Sequence, residues 1–401
     1  MNPEKTRVAV LGPVSSIHLK PYIKEYAEDA SAPITSGGTN IANLVVERLR
    51  RGWPTDIITI SPQHGTKGLI QKWGNGAGRL WILQSQDMRF CATRGFPGET
   101  SILHKVFQQA KPDVIHANWS YEYGWAALNQ TAIPVVFTPH DHADRILKQL
   151  GWRYFPRWMI TQRCYRKAVQ ITAPSPAVAV YGSCRSGRPV TVIPNLLTEE
   201  FFGDSFSKVK QSQAGLRMIS ALDWCRMKNP KNALRAFQIL RRQFPQAEYL
   251  IAGTGLNQGG PANQWAAAHG CAGGVRFLGR IPYAEMLPHI ASADILLHSS
   301  LEECMPGPVI EAMALKVPVV AAREASGSEW LLDGGICGRL SSGRDVEAMG
   351  QNLLRAVEQK TTTADMVERA YARARYLSGP QTVLDAYNLV YEEALSETGR
   401  Q

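Results

Sequence analysis

The sequence predicts an α/β protein of two doubly wound, Rossmann-like domains, and three observations carry that prediction. The chain has 401 residues, more than one ordinary hydrophobic core organises. Short apolar runs without polar alternation recur between amphipathic stretches, as parallel strands do when helices cover both faces of a sheet. The alternation comes in two series, separated by a polar stretch with glycine. The division that follows is an N-terminal domain over 1–196, a linker over 197–214, a second domain over 215–375, and a C-terminal helix over 376–401 able to pack back on the N-terminal domain. Ligands of such sheets sit at the carboxyl ends of the strands, so a cleft between two facing sheets is the expected binding site.

In the first series, RVAVLGP (7–13) reads as a buried strand and NIANLVVERLRRG (40–52) as a helix ended by glycine. DIITIS (56–61), LWIL (80–83), DVIHAN (113–118), VVFTPH (135–140), AVQITAPS (168–175) and VTVIPN (190–195) continue it as strands. LLTEEFFGDSFSKVKQSQA (196–214) interrupts the pattern. The second series runs MISAL (218–222), helix 229–243, EYLIAG (248–253), helix 261–270, VRFLG (275–279), helix 284–293, ILLHSS (295–300), helix 309–316 and VPVVAA (317–322).

A hydrophobic content of 44% with 19% charged residues excludes a disordered chain. The net charge of +10 favours anionic partners without choosing among metabolites, membranes, polysaccharide and nucleic acid. Seven scattered cysteines with no Cys-x-x-Cys give neither a disulfide frame nor a zinc site, which fits a reducing compartment. The N-terminus shows no apolar signal core, and no run approaches 18 apolar residues. A cytoplasmic protein, able to sit peripherally at the inner face of a membrane, is expected.

The most informative stretch is SSLEECMPGPVIEAMALKVPVVAA (299–322). In one continuous helix Glu303 and Glu311 would stand about 12 Å apart along the axis. Pro306 and Pro308 forbid that helix, which must begin near Pro308 and place Glu311 in its first turn. Glu303 is then left on the loop after ILLHSS. Between the two carboxylates lies a helix N-terminus, whose unpaired N–H groups suit phosphate. A dipole-complementing Glu311 with a solvated Glu303 accounts for the same residues.

This segment resembles the Glu-x7-Glu signature of retaining GT-B glycosyltransferases of family 4. Lys228-Asn229-Pro230, Ile251-Ala252-Gly253-Thr254-Gly255, Phe277-Leu278-Gly279-Arg280-Ile281 and Ala325-Ser326-Gly327-Ser328-Glu329 resemble further elements of that family, in its order. Upstream, Asp113 to Trp119 and Val136 to Asp141 do the same. The resemblance implies a GT-B fold and transfer of a sugar from a nucleotide-sugar donor to a carbohydrate or lipid-linked acceptor, in polysaccharide, glycolipid or glycoconjugate biosynthesis. It implies no cofactor and no essential metal. Glu303 would accept hydrogen bonds from donor-sugar hydroxyls, and Lys228 would balance charge on the leaving diphosphate. His140 would lie at the donor sugar. Glu311 would bind the ribose, and Gly307, Pro308 and Val309 would bring amides near the diphosphate. Gly37 and Gly38 would let backbone approach the phosphates, with Gly253, Gly255, Arg280 and Ile281 completing the donor site.

The chain departs from the family at Asp223, where an arginine is usual, with Arg226 nearby as a substitute. Cys304, Pro306 and Lys316 replace glycines. An epimerase or phosphorylase on the same scaffold, or a non-catalytic sugar-nucleotide binder, stays open on these residues.

His116, His140 and His142 lack a convincing third-ligand spacing, so no metal is expected. KQLGWRYFPRWMITQRCYRKAV (148–169) mixes cations with aromatics, either as a membrane-contacting face or as an ordinary domain helix. No nucleic-acid-binding signature is present, and Gly253-Thr254-Gly255 lacks the frame of a dinucleotide site.

Overall fold

A computed structural model describes residues 2–35, 37–61, 70–84, 92–130, 133–203, 206 and 215–398. Most of the expected linker falls outside the described residues. The chain divides into two compact units, one of Met1–Thr198 with Pro380–Gln401 and one of Glu199–Gly379.

The first unit carries β1 (Val8–Leu11), β2 (Thr55–Ser61), β3 (Ile70–Trp73), β4 (Gly78–Gln84), β5 (Val114–Asn118), β6 (Val135–Thr138), β7 (Gln170–Ala173) and β8 (Thr191–Val192). Among the described residues they form one sheet in the order β3-β4-β2-β1-β5-β6-β7-β8. Every pairing is parallel except β3 with β4. The sequence reading missed β3, whose IQKW carries polar residues and has one face only partly buried. An edge strand needs no continuous apolar run, and edge charge protects it from further pairing.

The principal helices of this unit are α1 (Thr39–Arg50), α2 (Pro97–Ala110), α3 (Ala143–Leu150), α4 (Phe155–Lys167) and α5 (Pro176–Ser186). The second unit holds β9 (Arg217–Ala221), β10 (Glu248–Ala252), β11 (Val275–Gly279), β12 (Ile295–His298), β13 (Val319–Ala322) and β14 (Arg339–Ser341). Its sheet runs β11-β10-β9-β12-β13-β14, parallel throughout. Around it lie α6 (Pro230–Gln243), α7 (Pro261–Ala268), α8 (Tyr283–Ala291), α9 (Gly307–Ala314), α10 (Val346–Glu358) and α11 (Lys360–Ser378). The order reverses between β9 and β12, so the loops after these two strands flank the switch point where such sheets bind ligands.

The core of the second unit joins Met218, Tyr249 and Ile251 of the sheet to Leu234, Phe237 and Leu240 on one stripe of α6 and to Met349 and Leu353 of α10. Burial of each large apolar side chain contributes about 1.5–3 kcal/mol.

The last helix, α12 (Pro380–Thr398), starts at a proline in its first turn after Gly379 ends α11. Val383, Leu384, Tyr387, Val390, Tyr391 and Ala394 recur at helical spacing and enter the core of the first unit with Val10, Val114 and Val136. Tyr391 Oη is hydrogen-bonded to His116 Nδ1 at 2.8 Å, and Thr138 Oγ1 to His116 Nε2 at 2.8 Å. Both nitrogens of that histidine are therefore engaged inside the fold. Burial, helped by His140 and Arg48, lowers its pKa to about 3, so it is a neutral core group.

Candidate active site

The centre of the site is a pair 75 residues apart in sequence: Lys228 Nζ donates to Glu303 Oε1. Lys228 ends the loop after β9, and Glu303 stands on the loop after β12, a neighbouring strand. Leu301 N donates to Met227 O at 2.8 Å and Ser299 Oγ to Lys228 O at 2.9 Å, which ties the two loops together. Burial pushes the ammonium pKa down, but the adjacent Glu303 carboxylate outweighs it and leaves the pKa raised. His298 Nε2 lies 3.7 Å from Glu303 Oε1. Burial lowers its pKa to about 4 against the opposing pull of Glu303, so it is neutral and the lysine alone supplies the positive charge.

Glu311 is the fifth residue of α9, not part of its first turn, because Pro306 already serves as N-cap and Gly307 opens the helix. Side chains lean toward the N-terminus of a helix, and this one does: Glu311 Oε1 lies 3.5 Å from where a Cβ on Gly307 would stand. The N–H groups of Gly307 and Val309 have no intrahelical partner at that end. Pro308 supplies none. The Glu311 side chain is buried, and burial raises its pKa to about 7 although Tyr283 Oη donates to it at 2.8 Å. Tyr283 opens α8 two residues after Ile281, so the half-buried Ile281 and Glu311 belong to one neighbourhood. Arg280 is exposed and forms no ion pair among the described residues.

Gly253 has φ +144°, and a Cβ there would stand 1.8 Å from Leu222 O. The space this glycine preserves is for the β9 loop of the protein itself. Asp223, at the position of the missing arginine, accepts a hydrogen bond from Thr254 N at 2.7 Å and joins the same loop pair. Gly255 packs on Trp224. Arg226 is exposed, with no hydrogen bond or ion pair to Lys228 or Glu303, and lines a separate cavity with α6 residues. The left-handed φ of Lys316, +55°, shows why a glycine is common at its position. Its ammonium bonds Glu368 at 2.9 Å and lies over the Tyr371 ring.

In the first unit, Gly38 N donates to Pro13 O at 3.0 Å. A Cβ on Gly37 would stand 2.0 Å from that same oxygen. The close approach at Gly37 is thus to the loop after β1. His140 is half-buried and neutral, with its pKa lowered by desolvation to about 4. Asn40 Nδ2 donates to His140 Nδ1 at 3.1 Å, which leaves Nε2–H to donate to Asn118 Oδ1 at 2.9 Å. Both asparagines, like Tyr283 and His298, escaped sequence reasoning. Asn118 closes β5 and Asn40 lies in the first turn of α1, and no local pattern links either to a residue over 20 positions away.

Comparison with known proteins bears on the whole arrangement. The family model "Glycosyl transferases group 1" matches residues 216–373, and "Glycosyl transferase 4-like domain" matches 36–195. The chain belongs to the family 4 type of GT-B glycosyltransferases. This glycosyltransferase is 24% identical over 298 residues to the MMP alpha-(1->4)-mannosyltransferase of Mycolicibacterium hassiacum, an alignment covering 71% of each chain. A sucrose-phosphate synthase from Thermosynechococcus elongatus superposes with a TM-score of 0.77 at 16% identity, over 98% of this chain and 100% of that one. The Anabaena protein HepE, solved with UDP and glucose, gives a TM-score of 0.68 at 16% identity, over 96% and 100% of the two chains. At such identities the structural likeness shows the fold: two Rossmann-like domains of GT-B type.

On the surface of the glycosyltransferase, the 148–169 segment is two helices, the end of α3 and all of α4, joined by a short 3-10 turn at Trp152–Tyr154. Trp152 is 80% exposed. Tyr154, Phe155 and Trp158 are half-buried, and Trp158 Nε1 donates to Asp144 at 2.6 Å. Lys148, Arg153, Arg163, Arg166 and Lys167 are exposed, while Arg157 lies over the Tyr121 ring. Among the described residues no helix is long and apolar enough to cross a membrane, and no group of three His, Cys, Asp or Glu side chains could hold a metal.

Proposed function

We propose that the protein transfers a sugar, with retention of anomeric configuration, from a nucleoside-diphosphate sugar to an acceptor hydroxyl on a carbohydrate or lipid-linked molecule. The observation that carries this reading is the Lys228–Glu303 pair at the switch point of a sheet whose α9 terminus carries Glu311. An incoming diphosphate takes over the Lys228 ammonium and meets the N–H groups of Gly307 and Val309. Glu303, released from the lysine, accepts hydrogen bonds from sugar hydroxyls, and Glu311 accepts those of the ribose. As the bond from C1 to the phosphate oxygen breaks, negative charge grows on the diphosphate, where the ammonium stabilises it more than in the ground state. The acceptor oxygen bonds to C1 on the same face, and its proton passes to the departing phosphate oxygen. His140, whose Nε2–H donates to Asn118 Oδ1 in the free protein, is assigned to a sugar hydroxyl that would take the place of that oxygen as its acceptor. No metal is required by this scheme.

A panel of UDP, GDP, ADP and dTDP sugars tests the proposal by thermal shift and by transfer assay with EDTA present, the product anomer being read by NMR. One nucleotide sugar is expected to raise the melting temperature and to be turned over by the wild type and not by Glu303→Gln. No response to any donor, or an inverted product, would sink it. Phosphate-dependent turnover would assign a phosphorylase instead.

Peripheral contact with an anionic membrane through 148–169 belongs to the same proposal, supported by exposed Trp152 among five exposed cations. Sedimentation with vesicles containing phosphatidylglycerol, and not with pure phosphatidylcholine, is expected, and Trp152→Ser should reduce it. Equal sedimentation with both lipids would remove this part of the proposal.

A further inference from the structure

The loop that ends in Lys228 forms, with α6, a second concavity. A cavity of about 460 Å³ is lined by Trp224, Cys225, Arg226, Asn229, Pro230, Lys231, Asn232, Arg235, Leu301 and Arg344. Four of these residues are cationic and none is acidic. They come from three places in the fold: Arg226 from the loop after β9, Lys231 and Arg235 one turn apart on α6, and Arg344 from the turn after β14. None of the four charged heads makes a hydrogen bond or ion pair to a carboxylate among the described residues.

The neighbouring carboxylates are engaged elsewhere. Asp223 accepts from Thr254 N at 2.7 Å, and Asp345 accepts from Ala348 N at 2.9 Å as the N-cap of α10. Glu324, which feels Arg344 through space, accepts from Ser342 Oγ at 2.6 Å and from Gly343 N at 2.8 Å. What holds the cations in place is aromatic and amide structure that leaves their charge intact. Lys231 Nζ lies 5.7 Å from the Trp224 ring and 5.3 Å from that of Trp265, and the Arg235 guanidinium 5.2 Å from the latter. Asn229 and Asn232 donate to Gly343 O at 2.7 and 3.0 Å, which fixes the turn bearing Arg344 beside α6.

Like charges gathered without counter-charge repel one another, and an anion relieves that repulsion while gaining charge-assisted hydrogen bonds. The volume falls within the range of small-molecule sites, and the Trp224 wall offers an apolar surface beside the cations. We propose that this cavity binds an anionic sugar, bearing a phosphate or a carboxylate, at a site separate from the Lys228–Glu303 pair. The proposal does not depend on the donor reading, because it concerns binding and not transfer. Asn229 follows Lys228 directly, so the two sites share one loop.

Calorimetric titration of the full-length protein with glucose 6-phosphate, glucuronate and glucose, each without and with added UDP, tests it. At least one of the two charged sugars is expected to bind, and the arm that responds names the anion. Affinity should fall at least about fivefold in Lys231→Gln/Arg235→Gln and in Arg344→Gln. The second variant, on a different element, keeps the test open if the first folds poorly. The proposal is overturned if neither charged sugar binds, if glucose binds as well as they do, if both variants lose less than that, or if UDP abolishes the binding.

Discussion

Replacement of Lys228 by alanine is expected to lower kcat for sugar transfer by roughly 10²–10³-fold, the range found when one positioned electrostatic donor is removed. The side chain is only 22% exposed and donates to Glu303. Its raised pKa, which the Glu303 carboxylate secures against the effect of burial, keeps it cationic at neutral pH. Charge on the leaving diphosphate grows toward the transition state, so the loss should fall on kcat more than on donor KM. Glu303→Ala should also be severe, and the double variant should lose less than the product of the two single losses, because the partners act as a unit. Steady-state kinetics on folded variants measure this. A Lys228→Ala enzyme that keeps kcat within about threefold would show that another group carries the charge.

Glu311→Gln should have two opposite effects. In the free protein the carboxyl is buried and its pKa is raised from 4.5 to about 7. Below pH 4.5 it is protonated in both folded and unfolded chains and costs nothing. Between 4.5 and about 7 the unfolded chain releases this proton while the folded protein retains it, so stability declines as pH rises. At about 1.4 kcal/mol per pH unit the decline totals about 3 kcal/mol, and it is constant above pH 7. Glutamine keeps an oxygen for Tyr283 Oη and has no proton to lose. The variant should therefore melt above the wild type at pH 8 and together with it near pH 4.5. Donor binding should move the other way. Ribose hydroxyls donate best to the ionised carboxylate, so wild-type affinity should tighten as pH rises through 7. The variant should lose this pH dependence and bind donor about tenfold or more weakly. A Glu311→Gln protein that is less stable than wild type at pH 8 would contradict the buried, proton-holding carboxyl.

The first expectation pairs two residues that sequence reasoning selected separately, and the second joins a selected residue to Tyr283, which it did not select. Glu303 and Glu311 stood out through spacing and through two prolines that interrupt a helix, and Lys228 through the resemblance of Lys228-Asn229-Pro230 to a family element. The same reasoning began the helix near Pro308 and counted Glu311 in its first turn, whereas the helix opens at Gly307 and Glu311 is its fifth residue. It offered Arg226 as a substitute for an arginine, whereas Arg226 lines the basic cavity and Asp223 has become a loop clamp on Thr254. Lys316 looked like a lost glycine and proves to tolerate the left-handed backbone, at a cost of order 1–3 kcal/mol.

By itself the sequence determined the fold class, the two βα series and the carboxylates that flank a helix start. These features are local: strand burial, helical periodicity and proline chemistry act within a few residues. Only the tertiary structure decided that Lys228 meets Glu303, that Tyr283 meets Glu311, that Asn40 and Asn118 set the tautomer of His140, and that α12 completes the core of the first unit. Those contacts depend on β9 lying beside β12 and on helices returning from distant parts of the chain. Apolar periodicity says that an element is buried but leaves open which neighbour buries it, because hydrophobic attraction has no direction.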